Sequence, residues 1–349
     1  MKPLPSEDLA SIQSLTTELW EEVRGRTIFM TGGSGFFGSW LHESFCHINQ
    51  ALHLNARLII LTRDPERFAA TSLHVADDPA VSVWKGDVRT FEFPQQPVDF
   101  IIHAAAETRA TLVADQPAET YSTIVHGTER VLQYALHTRA TKLLFTSSGA
   151  VYGSQPRDIP LLPETYEGAP DPLAPASIYG HAKRTAEMLC AIYGRSGNLS
   201  CKIARCWAFC GPRLPLDEHF AIGNFIADAM AHRSIEIRGD GTPLRSYLYA
   251  SDLVVWLWTI LFRAPALRPF HVGSSRGISI LDLAHQVAVE LSPESEIRVG
   301  ETPQPCVGPS RYVPSTERAQ NELGLRETVG LNEMIRRTAA WYGHSESAF

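Results

Sequence analysis

Two rhythms of hydrophobic and polar positions divide the chain. Short stretches rich in apolar and β-branched residues at 27–30, 56–63, 81–88, 98–103 and 142–148 predict strands. Between them, apolar residues spaced by three and four predict helices over 39–47, 111–121 and 123–138. Strands and helices that alternate in this way predict a doubly wound parallel sheet with right-handed crossovers. An amphipathic helix carrying Leu9, Ile12, Leu15, Leu19, Trp20 and Val23 precedes the first strand, with Ser6 expected as its N-cap. Past 148 the rhythm changes. A proline-dense stretch at 154–177 has neither period and reads as a functional surface excursion. A helix follows to about Tyr193, then a strand at 200–208, a helix at 220–232, a strand at 235–238 and a Gly-Asp-Gly turn at 239–241. This less regular half predicts a smaller domain woven into the first.

Composition narrows the function classes. The chain has 349 residues, 44% hydrophobic and 20% charged, ordinary for a soluble globular protein. A formal charge of −7 without a basic run argues against a nucleic-acid footprint. The apolar run Val254–Phe262 is too short to span a bilayer and reads as a core helix. The start of the sequence lacks a signal-peptide core, so the expected location is the cytoplasm. Six cysteines lie in apolar contexts with no CxxC, and no HExxH occurs. Reduced core thiols and no metal site are expected.

The first strand runs directly into Thr31-Gly32-Gly33-Ser34-Gly35-Phe36-Phe37-Gly38. Strand, glycine turn and helix form the context of a dinucleotide fingerprint. Gly32 permits the tight turn, Gly35 lets backbone approach a pyrophosphate, and Gly38 allows close packing. About 20 residues on, NAD sites carry an acid for the ribose. Here Thr62-Arg63 stands there and Asp64 comes late, which favours NADP over NAD, with Asp64 on the ribose as the alternative.

Tyr179 and Lys183 lie four apart on one helix face, and Ser148 closes a parallel strand. A neighbouring ammonium is expected to lower the tyrosine's pKa, so that the phenol can exchange a hydroxyl proton while hydride moves to or from a nicotinamide. Ser148 can bind the same substrate oxygen.

In this order the motifs resemble those of the extended short-chain dehydrogenases/reductases, in the nucleotide-sugar epimerase/dehydratase family. The likeness runs over about 26–345 and includes Ser147-Ser148-Gly149-Ala150-Val151-Tyr152-Gly153, Cys210-Gly211-Pro212-Arg213, Gly223-Asn224-Phe225-Ile226 and Arg245–Leu253. It implies a Rossmann-type sheet with a smaller interwoven C-terminal substrate domain. The expected division is a helical extension at 1–25, a dinucleotide-binding domain at 26–205 and a mainly substrate-binding domain at 206–349, with part of about 246–274 packing back. Catalysis would fall to Ser148, Tyr179 and Lys183. Cofactor contacts would come from Gly32, Gly35, Phe36, Phe37, Gly38, Thr62, Arg63, Asp87, Val88, Ala104, Ala105, Ala106, Tyr179 and Lys183. Glu107, Asn224, Arg245 and Arg311 would contact a nucleotide-diphospho-sugar, and a homodimer is implied.

Some family positions differ. An asparagine is replaced by Ala208, and another by Ile124 with Thr123 beside it. Dehydratases of the family resemble one another in placing Asp-Glu after the catalytic hydroxyl residue, and decarboxylases keep the Glu. Gly149 and Ala150 occupy those positions here. The expected reaction is therefore 4-epimerisation through a transient ketone, or alternatively NADPH-dependent reduction of a 4-keto sugar. Dehydration and decarboxylation are not expected. A catalytically silent dinucleotide sensor is the rival from another class, and the intact Ser148, Tyr179 and Lys183 argue against it.

Overall fold

The computed structural model describes residues 2–106, 115–218, 220–302 and 309–343. Seven strands form one parallel sheet: β1 (Thr27–Thr31), β2 (Arg57–Thr62), β3 (Val81–Lys85), β4 (Phe100–His103), β5 (Lys142–Ser148), β6 (Ser200–Cys206) and β11 (Pro269–Val272). Their order is β11-β6-β5-β4-β1-β2-β3. The strand order reverses between β1 and β4, and such a switch point opens a crevice beyond the carboxyl ends of the strands. Both faces of the sheet's inner strands are covered, which is why these read as apolar runs, whereas the edge strand β3 stays half-exposed. One side packs Met30, Ile60 and Ile102 under the helix Phe36–Ala51 and the wholly buried turns of Ala250–Arg263. The other packs Phe29, Ile101 and Phe145 under the helices Pro117–Thr138 and Ile178–Ser196. Val254–Phe262 is core, and no helix among the described residues is long and apolar enough to cross a membrane.

Among the described residues, three smaller sheets accompany the large one. β7 (Phe209–Cys210) pairs with β10 (Leu248–Tyr249), and β8 (Ile235–Ile237) with β13 (Ile297–Val299). β9 (Leu244–Arg245) lies between β12 (Ile278–Ser279) and β14 (Arg311–Tyr312).

Local details depart from the expected pattern. Ser6 is the first helical residue rather than the cap; Pro5 precedes it, and no side chain caps that helix. Proline's fixed φ suits a helix entry, and Glu7 and Asp8 in the first turn meet the exposed N–H groups electrostatically. The helix ends at Thr16, and 17–23 continue as a 3₁₀ turn. Of the helical patterns expected at 111–121 and 123–138, residues 111–114 lie outside the described residues, and 117–121 belong to the same helix as the second pattern, Pro117–Thr138. Gly127 sits inside it, where a Cβ would lie 2.9 Å from Val88. Close approach to Val88 outweighs the entropic cost of a mid-helix glycine.

Candidate active site

The crevice begins at the glycine loop. Gly32 turns with φ +77°, and a Cβ there would lie 2.6 Å from the Ala104 carbonyl. A Cβ on Gly38 would lie 2.2 Å from the Gly32 oxygen. Gly35 differs, since its Cβ would meet nothing nearer than 3.5 Å, leaving its surroundings open. No side chain caps the helix Phe36–Ala51 that follows. The N–H groups of Phe36, Phe37 and Gly38 in its first turn have no partner within the helix. Tight turn, open face and uncapped helix start fit a pyrophosphate.

The opposite lip, Ala104 to Ala106, follows β4 and is fixed through a buried histidine. The Thr128 hydroxyl donates to the Ile124 carbonyl at 2.6 Å, so it accepts from His103 Nε2 at 3.0 Å. His103 Nδ1 then accepts from Thr31 Oγ1 at 2.7 Å, while the same oxygen accepts the Ala105 N–H at 3.2 Å. Burial holds His103 neutral, its pKa down at about 3. The lip is thus tied to β1 by a ring that cannot charge at ordinary pH.

At the end of β2, Thr62 Oγ1 accepts the Asp64 N–H at 3.2 Å. The Asp64 carboxylate accepts the Arg67 N–H at 2.9 Å and caps the helix Pro65–Thr71. Asp64 is therefore committed to a helix start, and Arg63 stands exposed. Asp87, after β3, is gripped by Arg89 through two 2.8 Å bonds. Those bonds, aided by the charges of Arg89 and Arg63, hold its pKa low. Val88 is buried beneath it.

The chemical groups meet where β5 ends. A 3₁₀ turn, Gly149–Tyr152, follows Ser148, whose Oγ accepts the Ala150 N–H at 3.1 Å. Gly180 lets the helix Ile178–Ser196 close on that turn, since a Cβ would lie 2.5 Å from the Ala150 oxygen. Tyr179 and Lys183 are delivered from the same helix. The buried Lys183 Nζ donates to the Thr146 carbonyl at 2.7 Å, 4.9 Å from the Phe145 ring centre and 5.8 Å from that of Tyr179. Burial brings Lys183 down to about 8. The phenol runs against expectation. Burial, helped by the neighbouring Tyr312, pushes Tyr179 above its ordinary value, although hydrogen bonding with Ser148 works the other way. Desolvation is the largest influence on the phenol, and the Lys183 ammonium is bonded to a backbone carbonyl.

Two aromatic residues that motif reasoning passed over line the same place. Tyr312 packs on Trp207 with ring centres 4.3 Å apart. A Cβ on Gly149 would lie 2.7 Å from the Tyr312 hydroxyl and 2.8 Å from the Trp207 ring. The buried Trp207 Nε1 has no hydrogen-bond partner among the described residues. Strand alternation was the available signal, because only one of Arg311 and Tyr312 can face the crevice. β14 pairs Tyr312 with Arg245 and Arg311 with Leu244, which puts Tyr312 on Arg245's face and Arg311 on the other. Asn224 is half-buried on the helix Ala221–Met230, and Arg245 Nη1 donates to the Leu244 carbonyl at 2.9 Å. Glu107 lies outside the described residues, as do Thr108 and Arg109. Ala208 and Ile124 pack into apolar clusters and bring no polar side chain.

Residues 28–273 match the profile of the NAD dependent epimerase/dehydratase family. The chain is similar to UDP-glucuronic acid decarboxylase 1 of Arabidopsis thaliana, 30% identical over 310 residues, spanning 89% of this chain and 68% of that protein. Among solved structures, an epimerase of Methanothermobacter thermautotrophicus superposes with a TM-score of 0.77 at 21% identity, covering 95% of this chain and 96% of that one. The dTDP-glucose 4,6-dehydratase of Streptomyces venezuelae, solved with NAD and TYD bound, gives 0.76 at 23% identity, covering 91% and 97%.

Proposed function

Because the chain belongs to the NAD dependent epimerase/dehydratase family, we propose that it modifies a nucleotide-diphospho-sugar by hydride transfer at carbon 4, and that the reaction is epimerisation. The observation that carries this reading is the meeting of Ser148, Tyr179 and Lys183 at a crevice whose other end fits a dinucleotide. A bound nicotinamide supplies a hydride acceptor and donor. As the phenolate, which the positive charge of an oxidised nicotinamide would favour against burial, Tyr179 takes the proton of the carbon-4 hydroxyl and later returns it, and Ser148 hydrogen-bonds the same oxygen. Lys183 sits in the wall behind the phenol and completes the proton path. Asn224 and Arg245 contact the diphosphate, for which an arginine fork is suited, with Arg311, on the other strand face, as a further phosphate partner.

The chemistry next to Ser148 favours hydride transfer without elimination. Removing water or carbon dioxide needs a further acid or base at the sugar. Gly149 and Ala150 supply none, and any side chain on Gly149 would strike Tyr312 and Trp207. The similar decarboxylase and dehydratase therefore do not set the reaction proposed for this chain.

A second reading, NADPH-dependent reduction of a 4-keto sugar, is favoured by the end of β2. Asp64 is occupied as a helix cap, which leaves Arg63 as the charged group available to a 2′-phosphate. Incubation with UDP-, dTDP-, GDP- and CDP-hexoses, and with 4-keto sugar nucleotides plus NADPH, separates the two. The 4-epimer with no net cofactor consumption is expected; stoichiometric NADPH loss selects the reductase. A 4-keto-6-deoxy product, or carbon dioxide from a uronate, would sink both. Dissociation constants for NAD and NADP, measured side by side, decide the cofactor.

Leu136, Met188 and Ile192 are exposed on the paired helices Pro117–Thr138 and Ile178–Ser196. This face is proposed to bury against a second copy. A monomeric mass by light scattering across the micromolar range would remove the dimer.

A further inference from the structure

The Ser148 hydroxyl has one proton and two lone pairs to place. The Ala150 N–H fills one lone pair at 3.1 Å. Two phenols, Tyr179 and Tyr312, stand beside what remains. Which of them donates and which waits on the substrate decides where the serine proton points.

Tyr312 is held more firmly than a two-residue strand would suggest. It pairs with Arg245 in β9, and its ring lies on Trp207. The next residue is clamped from both sides by the proline-rich excursion. The Val313 N–H donates to Gln155 Oε1 at 2.8 Å, and its carbonyl accepts the Leu162 N–H at 3.0 Å. Gln155 Nε2 in turn donates to the Ile159 carbonyl at 2.9 Å. Gly149 provides the room, since a Cβ there would lie 2.7 Å from the Tyr312 hydroxyl. Loop, strand and glycine thus combine to hold a phenol at the catalytic turn.

We propose that Tyr312 is a positioning residue: its phenol donates to Ser148 Oγ, fills the second lone pair, and so directs the serine proton to the substrate oxygen at the reacting carbon. With Ala150 and Tyr312 both donating, the serine proton is left to the side where Tyr179 and the substrate oxygen lie. Burial keeps Tyr312 protonated, at about 12, so the donor persists at neutral pH. Tyr179, on the other side, is left free to exchange the substrate's proton. The inference deepens the hydride-transfer reading and rests on it for its catalytic consequence.

The test is a double-mutant cycle of Tyr312→Phe and Ser148→Ala in the full chain. In the Ser148 background, Tyr312→Phe is expected to lower kcat about five- to tenfold, the worth of one neutral hydrogen bond, with KM within about twofold. In the Ser148→Ala background the same change is expected to cost under about twofold. Equal losses in both backgrounds would overturn the proposal, as would a rise in KM at constant kcat, which marks a mere substrate wall. Unfolding midpoints of the four proteins give a reading that needs no substrate. Non-additive midpoints are expected and additive ones overturn the pairing. If the wild-type protein turns over no sugar nucleotide, the reaction assigned above fails alone, and the midpoints still decide whether Tyr312 and Ser148 act together.

Discussion

Two buried polar clusters adjoin one another along β5 and β6, and they are built to opposite ends. In the lower one every group is matched. Arg205 Nε and Nη2 grip Glu187 at 2.9 and 2.6 Å, and Nη1 donates to the Tyr152 hydroxyl at 2.5 Å. Ser147 donates to the same carboxylate at 2.5 Å. His271 Nδ1 donates to the Ser315 carbonyl at 2.9 Å, which makes Nε2 the acceptor of the Tyr152 proton at 2.7 Å. The Glu164 carboxylate takes the His271 N–H at 3.0 Å. In the upper cluster, one residue further along β5, Lys183 has a single carbonyl, and Trp207 Nε1 has no partner among the described residues. The difference is physical. A satisfied network spends its hydrogen bonds on rigidity, whereas a site for chemistry keeps donors and acceptors in reserve. Trp207 joins the two, its ring 5.2 Å from that of His271 and 4.3 Å from that of Tyr312.

Removing one hydroxyl from each cluster should break the molecule in two different ways. Tyr179→Phe deletes the proposed acid/base and nothing that the fold uses. Turnover is expected to fall ~10²–10⁴-fold, with the unfolding midpoint and cofactor affinity nearly unchanged. Activity within about tenfold of wild type would take Tyr179 out of the role. Tyr152→Phe is the same edit one layer down. It strips one partner from the half-buried Arg205 Nη1, which keeps the Glu164 carbonyl at 3.4 Å, and leaves the buried His271 Nε2 without its donor. A stability loss of about 1–3 kcal/mol is expected, the cost of leaving buried polar groups unpaired, while kcat changes less than for Tyr179→Phe. Chemical denaturation alongside steady-state kinetics reads both. If Tyr152→Phe cost turnover and spared stability, the contrast between the clusters would collapse.

How much of each region can be read in the residues alone follows from how local it is. The glycine loop is contiguous, so Gly32, Gly35 and Gly38 announce both their turn and the helix start behind it. Tyr179 and Lys183 share a helix face by spacing alone. Tyr312 and Trp207 escape such reading, because their place beside Ser148 depends on β14 pairing with β9 and on Gly149 leaving room. The proline-rich excursion likewise reads as a loop. Its clamp on Val313 needs the tertiary structure, as does the burial of Glu164 against His271. Arg311 was singled out by its charge, and the register of a two-residue strand sets it on the face opposite Tyr312. The phenol of Tyr179 teaches a similar lesson about energies. Adjacency to a lysine predicts a lowered pKa, but the carbonyl of Thr146 holds the ammonium and burial prevails.

The smallest expected effect concerns Lys183 and is read through pH. Its pKa is about 8 in the folded protein, against the ordinary 10.5, because burial disfavours the charged form. Between those values the unfolded chain binds the proton and the folded one does not. Stability therefore rises with pH across that window, with the slope set by the difference in bound protons. Below about 8 the folded state carries the full cost of a buried ammonium, and above 10.5 none of it. Lys183→Met keeps an unbranched apolar stem and removes the titration. The wild-type protein should gain on this variant as pH goes from about 8 to 10, by about 2 kcal/mol. The lower cluster adds little slope in this range, since His271 titrates near 3 and Tyr152 near 12. Unfolding midpoints of the two proteins, measured in parallel over that range, give the difference directly. A difference that stays flat would mean that Lys183 keeps an ordinary pKa, and that its carbonyl partner and the Phe145 ring offset the burial in full.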